Sequence, residues 1–345
     1  MAKKLLSIII LMFMLVCVLA SCDNEQTNSD DGLETKYNEA LALLNENKYE
    51  EAYDIFCELG AYKDSQDYVK RFHYMPTKYV AEGEVDGEKE DYGTVTFSYN
   101  EHNLPSQIIT SYEDGENAIM NLTYDDNGNP IKNVYTNFNG DKYIYDYTYD
   151  ENGNLIKQVY TYPDGDKYIY DYTYDEKGNL IKEVQTSDDG DKYIYDYTYD
   201  ENDNLIKRVY TDSDGDKYIY GYTYDENNNL IKEVYTNYDG DKYIYNYIYD
   251  ENGNLIKEVE THPNGDKTVC DYDYDENGNL IKEVGTYPDG DKYTYDYTYD
   301  GNGNLIKEVD TDFDGEKYIV ELTYKLVYIP FEFSSKEFME SMLDL

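Results

Sequence analysis

Apolar and polar positions alternate with period two from Leu155 to Thr161, stop at Pro163-Asp164-Gly165, and alternate again from Lys167 to Tyr174. That pattern predicts two antiparallel strands joined in a hairpin. It is one copy of a unit that fills most of the chain. A glycine preceded by Asp or Asn stands at every twenty-fifth position from Gly115 to Gly315, and a second series runs through Gly128, Gly153, Gly178, Gly253, Gly278 and Gly303. Where the second series lacks glycine it has Asp203 or Asn228, the two other residue types that best tolerate a left-handed backbone. Both series therefore mark turns. Nine units give an up-and-down meander of about eighteen strands over residues 95–323.

Parity constrains the meander further. Tyr168, Tyr170, Tyr172 and Tyr174 share one face, and their counterparts Tyr193, Tyr195, Tyr197 and Tyr199 lie an odd number of residues later. The Tyr rows stay on one face only if each unit holds one extra, bulged residue. A type I turn with a glycine bulge suits Pro163-Asp164-Gly165, and a two-residue type I′ turn suits Asn152-Gly153. On that assignment Ile156 and Tyr160 join the Tyr face, with Leu155, Val159 and Ile169 opposite. Exchanging the turn types exchanges Ile156 and Tyr160 for Leu155 and Val159.

Ahead of the repeats the period changes. Tyr37, Leu41 and Leu44, then Tyr49, Ala52, Phe56 and Leu59, recur at helical spacing, with Asn47 placed to cap the second helix and Gly60 to end it. AYKDSQDYVKRF, capped by Asp64 or Ser65, supplies a third helix. Residues 33–75 thus form a small α-helical module, and 76–94, where glycine and charge outnumber apolar residues, read as a linker. At the N-terminus, Lys3 and Lys4 precede an apolar run that ends at Ala20, the layout of a signal peptide over residues 1–21. The acidic stretch 22–32 reads as a flexible tether. YKLVYIPFEF and a short helix in 324–345 read as an end cap.

Composition narrows the function classes. The 345 residues include 47 tyrosines, no tryptophan and a net charge of −45. Such a field repels phosphate backbones, so nucleic acid is not an expected partner, whereas cations are natural counter-species. Strands rich in Tyr, Val, Ile and Thr in a strict period argue for order despite the charge. Cys57 and Cys270 stand far apart without metal-ligand spacing and read as structural thiols.

Three resemblances add to this reading. Leu19-Ala20-Ser21-Cys22 resembles the lipobox of bacterial lipoproteins, which implies acylation of Cys22, a lipid bilayer as partner and an extracytoplasmic place on the bacterial cell membrane. ALALLNENKYEEAYDIFCEL resembles a single tetratricopeptide unit. YDENGNLI followed by a DG turn and a YxYxY strand resembles the YD-repeat (RHS) family over residues 95–323. That family implies a β-ribbon that coils into a hollow shell, and links to carbohydrate binding and cell contact. With so few repeats, a curved or coiled sheet is expected here rather than a closed shell.

Candidate chemistry is sparse. Phenol rings offer an apolar face to sugar C–H groups and a hydroxyl for hydrogen bonds, so Tyr168, Tyr170, Tyr172, Tyr193, Tyr195, Tyr197, Tyr218, Tyr220 and Tyr222 are the candidate binding residues for a glycan or a cell-surface protein. Asp310, Asp312, Asp314 and Glu321, with Gly315 between them, match the spacing of an EF-hand loop and are the candidate calcium ligands. The flanks of that loop are strands, and Lys317 takes its usual aliphatic position. His73, His102 and His262 are dispersed and carboxylates in solvated turns do not make an acid/base pair, so no catalytic residues and no other cofactor are expected. The expected protein is a non-enzymatic surface lipoprotein acting in adhesion or glycan binding, or else a structural spacer.

Overall fold

The computed structural model describes residues 30–85, 88–112 and 115–328. The signal peptide, Cys22 and residues 329–345 of the expected end cap lie outside the described residues. Among the described residues there are three helices, α1 (Asp30–Asn45), α2 (Tyr49–Leu59) and α3 (Ser65–Val69), followed by twenty strands. The repeat hairpins have the bounds their alternation implies: β7 is Leu155–Thr161 and β8 is Lys167–Tyr174.

The expected linker is two long strands, β1 (Phe72–Val85) and β2 (Glu88–Tyr99). They change the architecture. β1 pairs with β2 on one side and with β20 (Lys317–Tyr328) on the other, as in Val80↔Thr94 and Val80↔Glu321. The meander therefore closes on itself as a twenty-stranded antiparallel barrel, where an open curved or coiled sheet was expected. Closure leaves no free edge along the paired stretch.

Register explains how a ribbon of identical units can close. Ile144 pairs with Thr161, and Thr161 with Lys167, two residues short of Ile169, the next copy of Ile144. Each repeat slides by two residues in the same direction. With a rise of ~3.3 Å per residue and a strand spacing of ~4.8 Å, that slide tilts the strands by about 35°, in the range that barrels need.

The turns differ from expectation in one respect. Gly165 N–H donates to the Tyr162 carbonyl and Tyr162 N–H to Asp166, while Gly153 and Asp150 make the same pair of bonds with Asp150 and Asn154. Both turns are thus type I with a left-handed residue in the bulge position, and Asn152 does not take the positive φ that a type I′ turn requires. The odd residue sits instead inside the strand. Thr148 pairs with Lys157 but Tyr149 pairs with Leu155, which leaves Ile156 as the bulge. Tyr160 and Leu155 share the Tyr face, Val159 and Ile169 lie opposite as expected, and Ile156 turns to the outer side, 36% exposed.

The Tyr face is the inner face. Tyr145, Tyr147, Asn133 and Gln158 lie on it and are buried. Around the seam it becomes a core: Tyr79, Ala81, Val95, Ile108, Leu122, Leu305, Val320 and Leu322 pack together. The outer face carries cross-strand ion pairs such as Lys157 to Asp171 at 3.6 Å and Lys257 to Asp271 at 2.7 Å.

The helices sit at the rim that carries the Asp150-type turns. Phe56, Ala52 and Leu59 of α2 pack with Phe72, Tyr74 and Leu326 of the β1/β20 ribbon, and Asn103 in the first turn donates to the Tyr49 hydroxyl at 3.0 Å. Met75 and Val327, on the other side of that ribbon, pack with Leu104 against Tyr99 and Tyr124 of the barrel wall. Gly60 ends α2 with φ 54°, as expected, whereas Asn47 is itself left-handed and Lys48 takes the N-cap position. Cys270 is free.

Asp203 and Asn228 have φ 64° and 63°, which bears out the left-handed turn position. At Gly190, φ is +87° and an added Cβ would meet no atom within 4 Å, so substitution there is limited by backbone strain alone. Gly190→Asn is expected to cost well under 1 kcal/mol and Gly190→Val roughly 1–2 kcal/mol. Thermal melts of the two variants check this; coincident curves would show that the position tolerates any side chain.

Candidate functional site

Two motifs build the inner wall. The first is the turn Asp150 to Asn154, where the Asp150 carboxylate accepts the N–H groups of Asn152 and Asn154 at 2.8 and 2.9 Å and the Asn154 side-chain amide at 2.9 Å. These donors, the Asn154 amide first, hold the Asp150 pKa below the usual carboxylate range. The second is the tyrosine just before it. Tyr174 donates its hydroxyl to the Leu155 carbonyl at 2.8 Å, beyond the last β7–β8 pair, Lys157↔Asp171. Tyr124, Tyr149, Tyr199, Tyr224, Tyr249, Tyr274, Tyr299 and Tyr324 each make the same bond to a carbonyl at the start of the strand nineteen residues earlier, and Tyr99 donates likewise to Pro76 within β1. The Tyr-Asp pair of every repeat is therefore a rivet and a turn: Tyr ties adjacent strands, and Asp shapes the loop that follows.

Above that ring of rivets stand the candidate tyrosines. All nine, Tyr168, Tyr170, Tyr172, Tyr193, Tyr195, Tyr197, Tyr218, Tyr220 and Tyr222, are on the inner face and half-buried. Rings pair across strands: Tyr195 stacks on Tyr210 with centroids 4.7 Å apart, and Tyr220 on Tyr235 at 4.7 Å. Tyr197 donates to Glu183 at 3.2 Å, and Tyr172 to Gln158 at 3.1 Å.

A row of polar residues runs through the same wall at one per repeat, and sequence reasoning missed it. Asn133, Gln158, Glu183, Arg208, Glu233, Glu258, Glu283 and Glu308 occupy equivalent positions, each opposite an inward tyrosine on one of its two neighbouring strands. The signal was present in the polar residue just before the outward-facing Val of each repeat. Desolvation, with the like charges of neighbouring carboxylates, raises the pKa of Glu258 and Glu283. Desolvation raises Glu233 as well, partly offset by the charge of Arg208. Arg208 lies over the Tyr220 ring, 4.0 Å from its centroid. Glu308 is 8% exposed, and burial first, then Asp310 and Glu283, push its pKa up to about 7.

The candidate calcium ligands do not converge. Asp310 pairs in register with Tyr295 and Tyr318 on the inner face, whereas Glu321 pairs with Lys307 on the outer face at 3.4 Å. The Asp312 carboxylate accepts the N–H groups of Asp314 and Glu316, each at 3.0 Å. Among the described residues no group of three or more His, Cys, Asp or Glu is placed to hold a metal ion.

Comparison with known families agrees with this construction. The Teneurin YD-shell model matches residues 60–191, and the RHS repeat model matches residues 199–239, 249–292 and 274–315. The chain is a YD/RHS-repeat protein. No curated protein matches it. Among solved structures, TcdB2-TccC3 without its hypervariable C-terminal region is 16% identical over 67% of this chain and 16% of that chain, with a TM-score of 0.29. A porin-like protein from Bacteroides uniformis is 12% identical over 72% of this chain and 98% of that one, with a TM-score of 0.35. The architecture of this YD/RHS-repeat protein rests on its own strand pairing.

The raised Glu308 pKa has a direct consequence for stability. A carboxyl whose folded pKa of about 7 exceeds its unfolded value of 4.5 favours the folded state fully below pH 4.5 and loses that contribution as pH rises through 7. The penalty at alkaline pH is at most about 3 kcal/mol. Glu308→Gln is expected to raise stability above pH 7 and to flatten the fall between pH 4.5 and 7. Urea unfolding across that range tests this, and an unchanged pH slope would mean that Glu308 is solvated.

Proposed function

We propose that this YD/RHS-repeat protein is a lipid-anchored, extracytoplasmic binding protein that takes a glycan or a polypeptide segment of a cell-surface partner into its Tyr-lined lumen. The observation that carries the reading is the placement of the half-buried Tyr rows on the inner wall, where flat rings with hydroxyls face the enclosed space. Adhesion through these rings therefore requires a partner that enters the barrel. Cys22 would carry the lipid, which holds the protein at the membrane while the barrel stands in water. The outer face supports that arrangement, because Lys–Asp pairs such as Lys132 with Asp146 and Lys282 with Asp296 stand on it between the Ile/Val and Thr rows. In a bilayer each such lysine would cost roughly 2–4 kcal/mol near the midplane. No catalytic role is part of the reading.

A second reading, a spacer without ligand, is favoured by the ring-on-ring stacking, which commits part of the aromatic surface to the wall itself.

Binding of the full-length protein and its variants to a panel of glycans and envelope proteins separates the two. Tyr195→Phe with Tyr197→Phe should weaken a ligand modestly, and Tyr195→Thr with Tyr197→Thr severely, with the barrel still folded. Full binding by both double variants, or loss only through unfolding, would make the wall architecture and favour the spacer. In the same cells Cys22→Ser should leave the membrane fraction, and unchanged fractionation would remove the anchor.

A further inference from the structure

The inner wall loses several adjoining rings near the rim formed by the DG turns. Positions held by Tyr160, Tyr168 and Tyr170 in β7 and β8 are held by Glu260, Thr268 and Cys270 in β15 (Leu255–Thr261) and β16 (Lys267–Tyr274), and in β17 (Leu280–Thr286) the Tyr160 position is Gly285. Four rings are missing from adjoining strands. Their absence opens a cavity of about 560 Å³. Its walls include the carboxylates of Glu258, Glu260 and Glu283, with His262 at the mouth and the rings of Tyr272 and Tyr293.

Gly285 shapes the hollow. A Cβ there would fall 2.0 Å from the Tyr293 ring, so only glycine lets that ring lie against the strand, with its hydroxyl 3.2 Å from Cys270 Sγ and 3.5 Å from Glu283. The lining contains no Lys or Arg, and Lys257 and Lys282 are committed to Asp271 and Asp296 on the outer face. Carboxylates and ring faces therefore converge on an open-mouthed hollow whose one basic side chain is His262, 3.8 Å from Glu260.

The same wall shows what completes such a set. Two repeats earlier, Arg208 occupies the row position of Glu258 and places its guanidinium 4.0 Å above the Tyr220 ring, where its charge also acts on Glu233. A guanidinium there lies over a ring face, within electrostatic reach of a carboxylate. At the cavity the ring and carboxylates are present, and the space for an incoming side chain replaces the resident one. Approach is favoured too, since the adjoining DG turns carry Asp239, Asp241, Asp266, Asp289 and Asp291, a field that draws cations to the mouth.

We propose that this notch binds the guanidinium or ammonium group of a basic side chain on a polypeptide partner, with Glu258 and Glu283 as counter-charges and Tyr272 and Tyr293 as the stacking surface. The inference deepens the proposed lumen binding and rests on it only in requiring that the lumen be reachable.

The test is calorimetric titration of the full-length protein with argininamide and with citrullinamide, its neutral isostere. Argininamide should bind saturably, and citrullinamide about tenfold more weakly or worse. Thr268→Tyr, which restores the ring of the other repeats, should fill the notch and abolish binding without lowering the melting temperature. Glu258→Gln with Glu283→Gln, which keeps the shape, should weaken it about tenfold or more. Asp171→Asn, on the outer face, should change it less than about twofold. Absence of saturable binding, equal affinity for citrullinamide, retention in both notch variants, or equal loss in Asp171→Asn would overturn the proposal. Reaction of Cys270 with iodoacetamide in the folded protein, assigned with Cys270→Ser, keeps two failures apart. If Cys270 reacts and argininamide does not bind, the notch proposal falls and lumen binding stands. If Cys270 is not reached, both fall.

Discussion

A repeat of odd length cannot keep its tyrosines on one face of a sheet unless each copy absorbs one residue out of register, and the structure depends on where that residue goes. It goes to Ile156 and its copies, between Thr148↔Lys157 and Tyr149↔Leu155. The bulge lies at the strand start, where the β7–β8 ladder has already ended, and the hydroxyl of Tyr174 takes the Leu155 carbonyl there. Each such bond is worth only about 1 kcal/mol, but the bond recurs at every repeat and fixes the same geometry each time. A uniform bulge gives a uniform two-residue slide, and a uniform slide gives the constant tilt that lets the first strand meet the last.

Closure in turn decides what the aromatic face can do. On an open ribbon the Tyr rows would be a surface; in the barrel they are an interior, half-buried and partly stacked on one another. The same enclosure makes the Glu row consequential. Carboxylates that would be ordinary on a solvated strand are desolvated beside one another, so Glu258, Glu283 and Glu308 all resist ionisation. Binding capacity and instability at alkaline pH thus have one origin.

Much of this was legible in the chain. The hairpin bounds of Leu155–Thr161 and Lys167–Tyr174, the left-handed Asp203 and Asn228, the helices around Ala52 and Phe56 and the one-sided Tyr rows follow from period and turn chemistry, which are local. What was not legible depends on partners distant in sequence. Residues 76–94 read as a linker because Gly83, Gly93 and their charged neighbours carry little strand signal, and only pairing with β20 makes β1 the closing strand. The bulge at Ile156 was hidden because turn type and strand irregularity satisfy parity equally well. The EF-hand spacing of Asp310 to Glu321 failed on the same rule, since residues an odd number apart in a strand frame fall on opposite faces. At the candidate site, the Tyr rows were evident, whereas the notch shows only as departures of Glu260, Thr268, Cys270 and Gly285 from their own repeat.

Closure of the sheet is the claim on which the rest turns, and amide hydrogen exchange of the native protein tests it most directly at β1. If β1 is clasped between β2 and β20, the amides of residues 78–84 are protected to the same degree as those of a central strand such as Leu205–Thr211. Exchange of residues 78–84 at the rate of an unstructured linker, with the central strands still protected, would contradict the barrel and return the Tyr rows to an open surface.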